Sequence, residues 1–299
     1  MIYRGCYMTK LFPGLRLIAL NNVYGDSNNF WLYVNQSDPD GTLTWLVQQL
    51  LDAEKAGDKV QIIAHINGGD GESLEGWDEN YYKVVNRFAN TISGQFYGHT
   101  HYELFYMTYS DMNDHTSTPT SIVFSAPSLT PYDRYFPAYR IYTIDGNYPG
   151  SSFSVIDWEE WFFNLTLNNA LPPSQAKWEQ LYPSMLKEYG MDSAIPSEFH
   201  KLIERMKTDD NLYTKFYTNM NRRNQYDGYT PWPCDTDCKN FWLCTCRQFH
   251  HSKGKLCSDL PVHNAPVKKS RKYQAKWSDL QRRYNAYRQK RRDSDTCPI

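Results

Sequence analysis

Apolar positions fall first into short continuous runs and later into helical spacings. The run at 15–20, broken only by Arg16 and ended by Asn21, predicts a buried strand. A second apolar run occupies 29–34. Asp38-Pro39 then offers an N-cap with proline at the first helical position. Leu43, Leu46, Val47, Leu50 and Leu51 follow at helical spacing, and Gly57 suits the stop. Residues 59–64 read as a buried strand delivering His65 at its C-terminal end. A Gly-rich loop over 67–76 leads into a helix at about 78–89, with Tyr82, Val85 and Phe88 on its apolar face. A short aromatic strand runs into Gly98, and further strands are predicted at 104–109, 121–125, 139–144 and 152–157. Mixed α/β order passing into a run of strands fits an α/β (α+β) sheet sandwich flanked by helices.

After Asn164 the pattern changes. Leu171-Pro172-Pro173-Ser174 reads as a linker and helix start, and amphipathic segments follow at 174–189, 197–207 and 210–220. The middle one starts at Ser197-Glu198 and lines up Phe199, Leu202, Ile203 and Met206. Three units result: 1–165, a small helical region at 166–260 that reads as a packing appendage, and a tail at 261–299. No internal repeat is visible.

Charge sharpens the division. The chain has a formal net charge of −1, yet residues 253–292 hold 13 Lys/Arg against Asp259 and Asp279, a surplus of 11. The remainder, 19 Lys/Arg against 31 Asp/Glu, stands at −12. Such a basic run reads as a solvated or disordered tail. An anionic membrane surface is the partner its charge would suit, and no specific nucleic acid is expected. Aromatic residues make up 16%, with 24 Tyr and 9 Trp, which suits a well-packed extracellular-type protein. No run of 18 apolar residues exists to span a membrane. The stretch at 15–20 is short, contains Arg16 and follows Pro13-Gly14, so it reads as a core strand and not a signal peptide.

Candidate chemistry centres on Gln95-Phe96-Tyr97-Gly98-His99-Thr100-His101. In extended chain, residues i and i+2 point to the same side, so His99 and His101 could converge. His65 ends the preceding strand, and ligands collect beyond the C-terminal ends of strands in α/β sheets. Three histidines on two strand ends look like part of a metal site, and zinc suits imidazole. His115 lies in a polar loop and reads as incidental.

Gly98-His99-Thr100-His101 resembles the last metal motif of the calcineurin-like metallophosphoesterases. Ala64-His65-Ile66-Asn67-Gly68-Gly69 resembles the motif before it, usually Gly-His-x-Pro-Pro-Gly. Asn29-Phe30-Trp31, Asn80-Tyr81-Tyr82, Asn90-Thr91, Ser125-Ala126-Pro127-Ser128, Tyr139-Arg140 and Ile144-Asp145-Gly146-Asn147-Tyr148 narrow the likeness. Together with the cysteine spacing, they resemble the C-terminal half of an acid sphingomyelinase-like phosphodiesterase, from about residue 13 to 257. The resemblance implies a two-zinc phosphodiester hydrolase that cleaves sphingomyelin to ceramide and phosphocholine. Nucleotides or other phosphodiesters are the alternative substrates, and a non-catalytic secreted binding protein is the alternative role. It also implies His65 and His99 on one zinc and His101 on the other. The remaining ligands of the family, in Asp-x-His, Gly-Asp and Gly-Asn-His motifs, are expected upstream of this chain, as is the histidine that protonates the leaving alcohol. Of the acids here, Asp26, Asp38, Asp70 and Asp78 sit in no such motif. No catalytic residue is therefore assigned, and at most one zinc, weakly held, is expected.

The resemblance further implies secretion or a lysosomal address. Two departures stand out: Asn67-Gly68 replaces the proline pair, which is expected to loosen that loop, and Gly25 and Gly71 stand where the family often has a bridge. Cys6, Cys234, Cys238, Cys244, Cys246, Cys257 and Cys297 are the seven cysteines. A zinc finger completed by His250 and His251 is one reading, but the spacings match no standard finger. The resemblance implies bridges Cys234–Cys238 and Cys244–Cys257, with Cys6, Cys246 and Cys297 left unassigned. Sequons at Asn35 and Asn164 are consistent with secretion. Nothing in the sequence bears on oligomeric state.

Overall fold

The computed structural model describes residues 4–132, 135–224, 234–252 and 254–262. From residue 263 onward the expected basic tail, with Cys297, lies outside the described residues.

Six strands form one sheet: β1 (Tyr7–Phe12), β2 (Leu15–Ala19), β3 (Lys59–Ile63), β4 (Ile92–Tyr97), β5 (Leu104–Tyr109) and β6 (Pro119–Ser125), in the order β1-β2-β3-β4-β6-β5. The four central strands are parallel, and β1 and β5 close the two edges antiparallel. Parallel neighbours need crossovers. Helices α1 (Thr42–Ala56) and α2 (Glu75–Arg87) supply them between β2 and β3 and between β3 and β4. The second sheet is antiparallel, made of β7 (Ala138–Ile144), β8 (Val155–Phe162) and β9 (Glu179–Tyr182). Aromatic rings join the sheets: Tyr142 lies 4.9 Å from Phe96 and 5.8 Å from Phe124, and Trp158 lies 5.5 Å from Phe124.

Two short helices follow β8, α3 (Leu165–Asn168) and α4 (Met185–Tyr189); then come α5 (Pro196–Thr208), α6 (Asp210–Met220) and α7 (Thr236–Arg247). The apolar stripe of α5 is buried as its spacing predicts, with the Phe199 ring against Phe105, Phe124 and Trp158. Asp235 caps α7 by accepting from the Cys238 amide at 2.9 Å. Two disulfides, Cys234–Cys238 and Cys244–Cys257, fix this region. Four of the seven cysteines are thereby consumed, which removes the zinc-finger reading. Cys6 and Cys246 are buried free thiols. No helix among the described residues is long and apolar enough to cross a membrane.

Several expectations are corrected. The apolar run at 29–34 is a 3-10 turn, Phe30–Val34, whose Phe30, Trp31 and Val34 side chains are exposed. The Asn29 side chain accepts from the Trp31 amide through Oδ1, which turns the chain and faces the rings outward. Asp38 does accept from the amides of Leu43 and Thr44, but α1 starts only at Thr42, so Pro39 lies before the helix. The predicted helix at 174–189 is broken into a 3-10 turn, strand β9 and α4. Edge pairing with β8, plus a 2.8 Å hydrogen bond from Trp158 Nε1 to the Tyr182 hydroxyl, outweighs helical spacing there. The strand predicted at 152–157 runs later, over β8, and β1 and α7 were not foreseen.

Candidate functional site

The parallel register of β3 and β4 pairs Ile63 with Phe96, so the two strand ends sit side by side. The Ala64 amide donates to the Phe96 carbonyl and the Gly98 amide to the His65 carbonyl, at 3.0 and 3.2 Å. This brings His65 and His99 into direct contact: His99 Nδ1 lies 3.3 Å from His65 Nε2, with the rings edge-on. The Gly-His-Thr-His segment is not extended, contrary to the sequence reading. His99 and His101 both adopt left-handed backbone, with φ of 71° and 64°, and the Thr100 amide closes a tight turn onto the Gly98 carbonyl at 2.8 Å. The His101 ring sits beside Tyr132, and its carbonyl accepts from Arg222 Nη1 at 2.8 Å.

Residues absent from the motif expectation hold the pair. Asn22, buried in a 3-10 turn after β2, accepts from the His65 and Ile66 amides and donates to the Ile66 carbonyl at 2.6 Å. Asn67 is fully buried and donates to the Gly98 carbonyl at 2.6 Å and to Ser125 Oγ at 3.3 Å. Asn67 thus ties the two histidine loops together, where the loss of the proline pair was expected to loosen them. Glu72 Oε2 and Asp70 Oδ1 face His99 Nε2 at 3.2 and 3.7 Å. The Gly25 and Gly71 segments are joined by backbone instead of a disulfide: Asp26 and Ser73 form a β-bridge, and the Leu74 amide donates to the Gly25 carbonyl at 2.7 Å.

Electrostatics push the two imidazoles apart. Burial, then the charges of His99 and His101, hold His65 below the usual imidazole range. The neighbouring Asp70 carboxylate, working against burial and helped by the charge of Glu72, raises His99. Carboxylates at Nε2 keep the proton there and leave the Nδ1 lone pair facing His65, an arrangement common around metal-ligating histidines. Two nitrogens bound to one tetrahedral zinc at ~2.0–2.1 Å would be about 3.3 Å apart, which the pair matches. The fit stops at two donors. Among the described residues, no group of three or more His, Cys, Asp or Glu side chains is arranged to hold a metal ion. The other predicted positions are distributed elsewhere: Asn35 is exposed, Asn164 is half-buried and caps α3 through Oδ1, and His115 lies 3.9 Å from Asp259.

No family model matches the chain. It is 38% identical over 257 residues to sphingomyelin phosphodiesterase 1 of Caenorhabditis elegans, covering 86% of this chain and 43% of that protein. The sphingomyelin phosphodiesterase of Bos taurus is 41% identical over 257 residues, again 86% of this chain and 39% of its own length. The chain is homologous to the sphingomyelin phosphodiesterases. It spans about two fifths of the length of these relatives. Among solved structures, PhoD aligns with 60% of this chain and 44% of its own at 12% identity and a TM-score of 0.35. Within the homologous stretch, Glu72 and Asn22 were missed, and Asp70 was weighed among the acids but given no role; Asp70 and Glu72 are the two that face His99. Their one sequence signal was position, five and seven residues beyond His65 in the same Gly-rich loop.

Proposed function

We propose that this chain carries the histidine part of a phosphodiester hydrolase site, with sphingomyelin as substrate and ceramide and phosphocholine as products. The observation that carries the reading is the His65–His99 contact at 3.3 Å with Glu72 behind it. Homology to sphingomyelin phosphodiesterases supports the substrate class. In this reading His65 Nε2 and His99 Nδ1 take two positions on one zinc ion. When bound, such an ion supplies Lewis-acid polarisation of a phosphoryl oxygen. The chain's own residues do the rest. Asn22 and Asn67 fix the two loops, Glu72 and Asp70 keep the His99 proton on Nε2, and burial disfavours the charged form of His65. Two disulfides fit an oxidising compartment, so a secreted or lysosomal protein is part of the proposal.

The donor count sets the test. Purified residues 1–299 should release no phosphocholine from sphingomyelin above background at acidic pH with zinc present. A polypeptide supplied with the remainder of a relative's length should release it, and His99→Ala in that longer chain should lower release by roughly 100-fold or more. Chelator-sensitive release by 1–299 alone would overturn the two-donor reading. Undiminished release by the long His99→Ala chain would overturn the role of His99.

A further inference from the structure

The disulfide-closed loop 244–257 presses against the loop that serves His99. A Cβ added at Gly68 would lie 2.4 Å from the Phe249 carbonyl oxygen, and one at Gly69 2.9 Å from that of His250. The two backbones therefore meet without side chains between them. His250 is buried against the Tyr82 ring, 4.8 Å away, and anchors the segment. Its neighbour His251 instead reaches the site loop. His251 Nε2 lies 3.0 Å from the Ser73 carbonyl, 3.2 Å from Ser73 Oγ and 3.4 Å from Asp78 Oδ2. Asp78 in turn accepts from the Gly69 amide at 2.7 Å and from Ser73 Oγ at 2.6 Å.

The loop so clamped carries the acids. The Ser73 amide donates to the Asp70 carbonyl, and the Glu72 amide to Asp70 Oδ1 at 2.9 Å. On the other side, the Ser27 amide holds the Glu72 carbonyl at 2.8 Å. We infer that His251 is a positioning residue: through Ser73 and Asp78 it sets the Asp70–Glu72 turn that orients the His99 imidazole. Residues 179–186 positions downstream thereby complete a site begun at His65, and the Cys244–Cys257 bridge holds them to it. The inference deepens the proposed function and rests on His99 belonging to that site.

The test reads the imidazole itself. Histidine-selective nitrogen-15 labelling of residues 1–299, at one fixed pH, separates the ring signals of His99 by comparison with His99→Ala. In His251→Ala the His99 nitrogens should move by several parts per million toward those of a freely exchanging imidazole. His251→Gln, which keeps an N–H donor at the same reach, should restore them. Unchanged His99 signals in His251→Ala, or the same displacement in His251→Gln, would overturn the assignment. If His251→Ala does not fold, His251→Asn carries the test by keeping a polar side chain too short to reach Ser73, with displacement expected and its absence decisive against. The readout needs neither metal nor turnover. A failure of the hydrolase reading therefore appears only in phosphocholine release and leaves this result separate.

Discussion

Asp78 is a carboxyl group almost out of reach of water. Burial pushes it up to about 7, helped by the charge of Asp70 and only partly opposed by the Gly69 amide and Ser73 hydroxyl. An unfolded aspartate titrates near 3.9. Between those values the folded chain keeps a proton that the unfolded chain has lost, so stability falls as pH rises. Asp78's contribution is complete below about pH 4 and gone above about pH 7. Urea unfolding of the wild type should therefore show lower stability at about pH 7.5 than at about pH 4.5. Asp78→Asn should flatten that fall by up to roughly 4 kcal/mol. Equal slopes in the two proteins would contradict the assignment. At this scale the sequence pointed to His65 and His99, which the fold brings into contact, because strand ends and motif spacing are written in residue type. Asn22 and Asn67 could not be read the same way. Their importance lies in partners 43 and 31 residues away, which only folding brings near.

Elements repeat the lesson. α5 and α6 were legible to within a residue because a stripe such as Phe199, Leu202, Ile203 and Met206 has one partner surface. The 29–34 run showed its apolar content alone, whereas one Asn29 side chain decides its turn. The left-handed His99 and His101 were likewise invisible, since alternation of residue types says nothing about φ. The loop closed by Cys244–Cys257 is the element whose removal is most telling. Replacing both cysteines by alanine should cost about 2–4 kcal/mol, seen as a lower urea midpoint. Gly68→Ala should cost a further ~1–3 kcal/mol, because its Cβ would overlap the Phe249 carbonyl. Full stability in Gly68→Ala would mean that the two loops are not packed as described.

Across the whole molecule, a buried charged cluster joins the sheets to the helices. Arg140 of β7 donates to Glu160 of β8 at 2.8 Å, lies 3.6 Å from Glu103, and stacks 4.5 Å over Trp158. The Tyr182 hydroxyl of β9 donates to Glu103, whose amide meets the Met220 carbonyl at the end of α6. Removing Glu160 takes away the carboxyl that Arg140 hydrogen-bonds and leaves the buried guanidinium only Glu103 at 3.6 Å, so Glu160→Ala should cost about 3–5 kcal/mol and lower a single cooperative transition. Arg140→Met combined with Glu160→Leu and Glu103→Gln, which removes the cation and both acids together, should cost less than Glu160→Ala alone, and the reverse order would refute the account. The placement of His251 against Ser73 also has a consequence in time. On a ribosome, residue 251 is made 186 residues after residue 65, roughly 10–40 seconds later at ordinary elongation rates. Over the last 152 residues of that interval His65 and His99 are both present while the brace behind them is still unmade. A nascent chain therefore carries its histidines for that time with the site unfinished, and a segment translated well after them completes it.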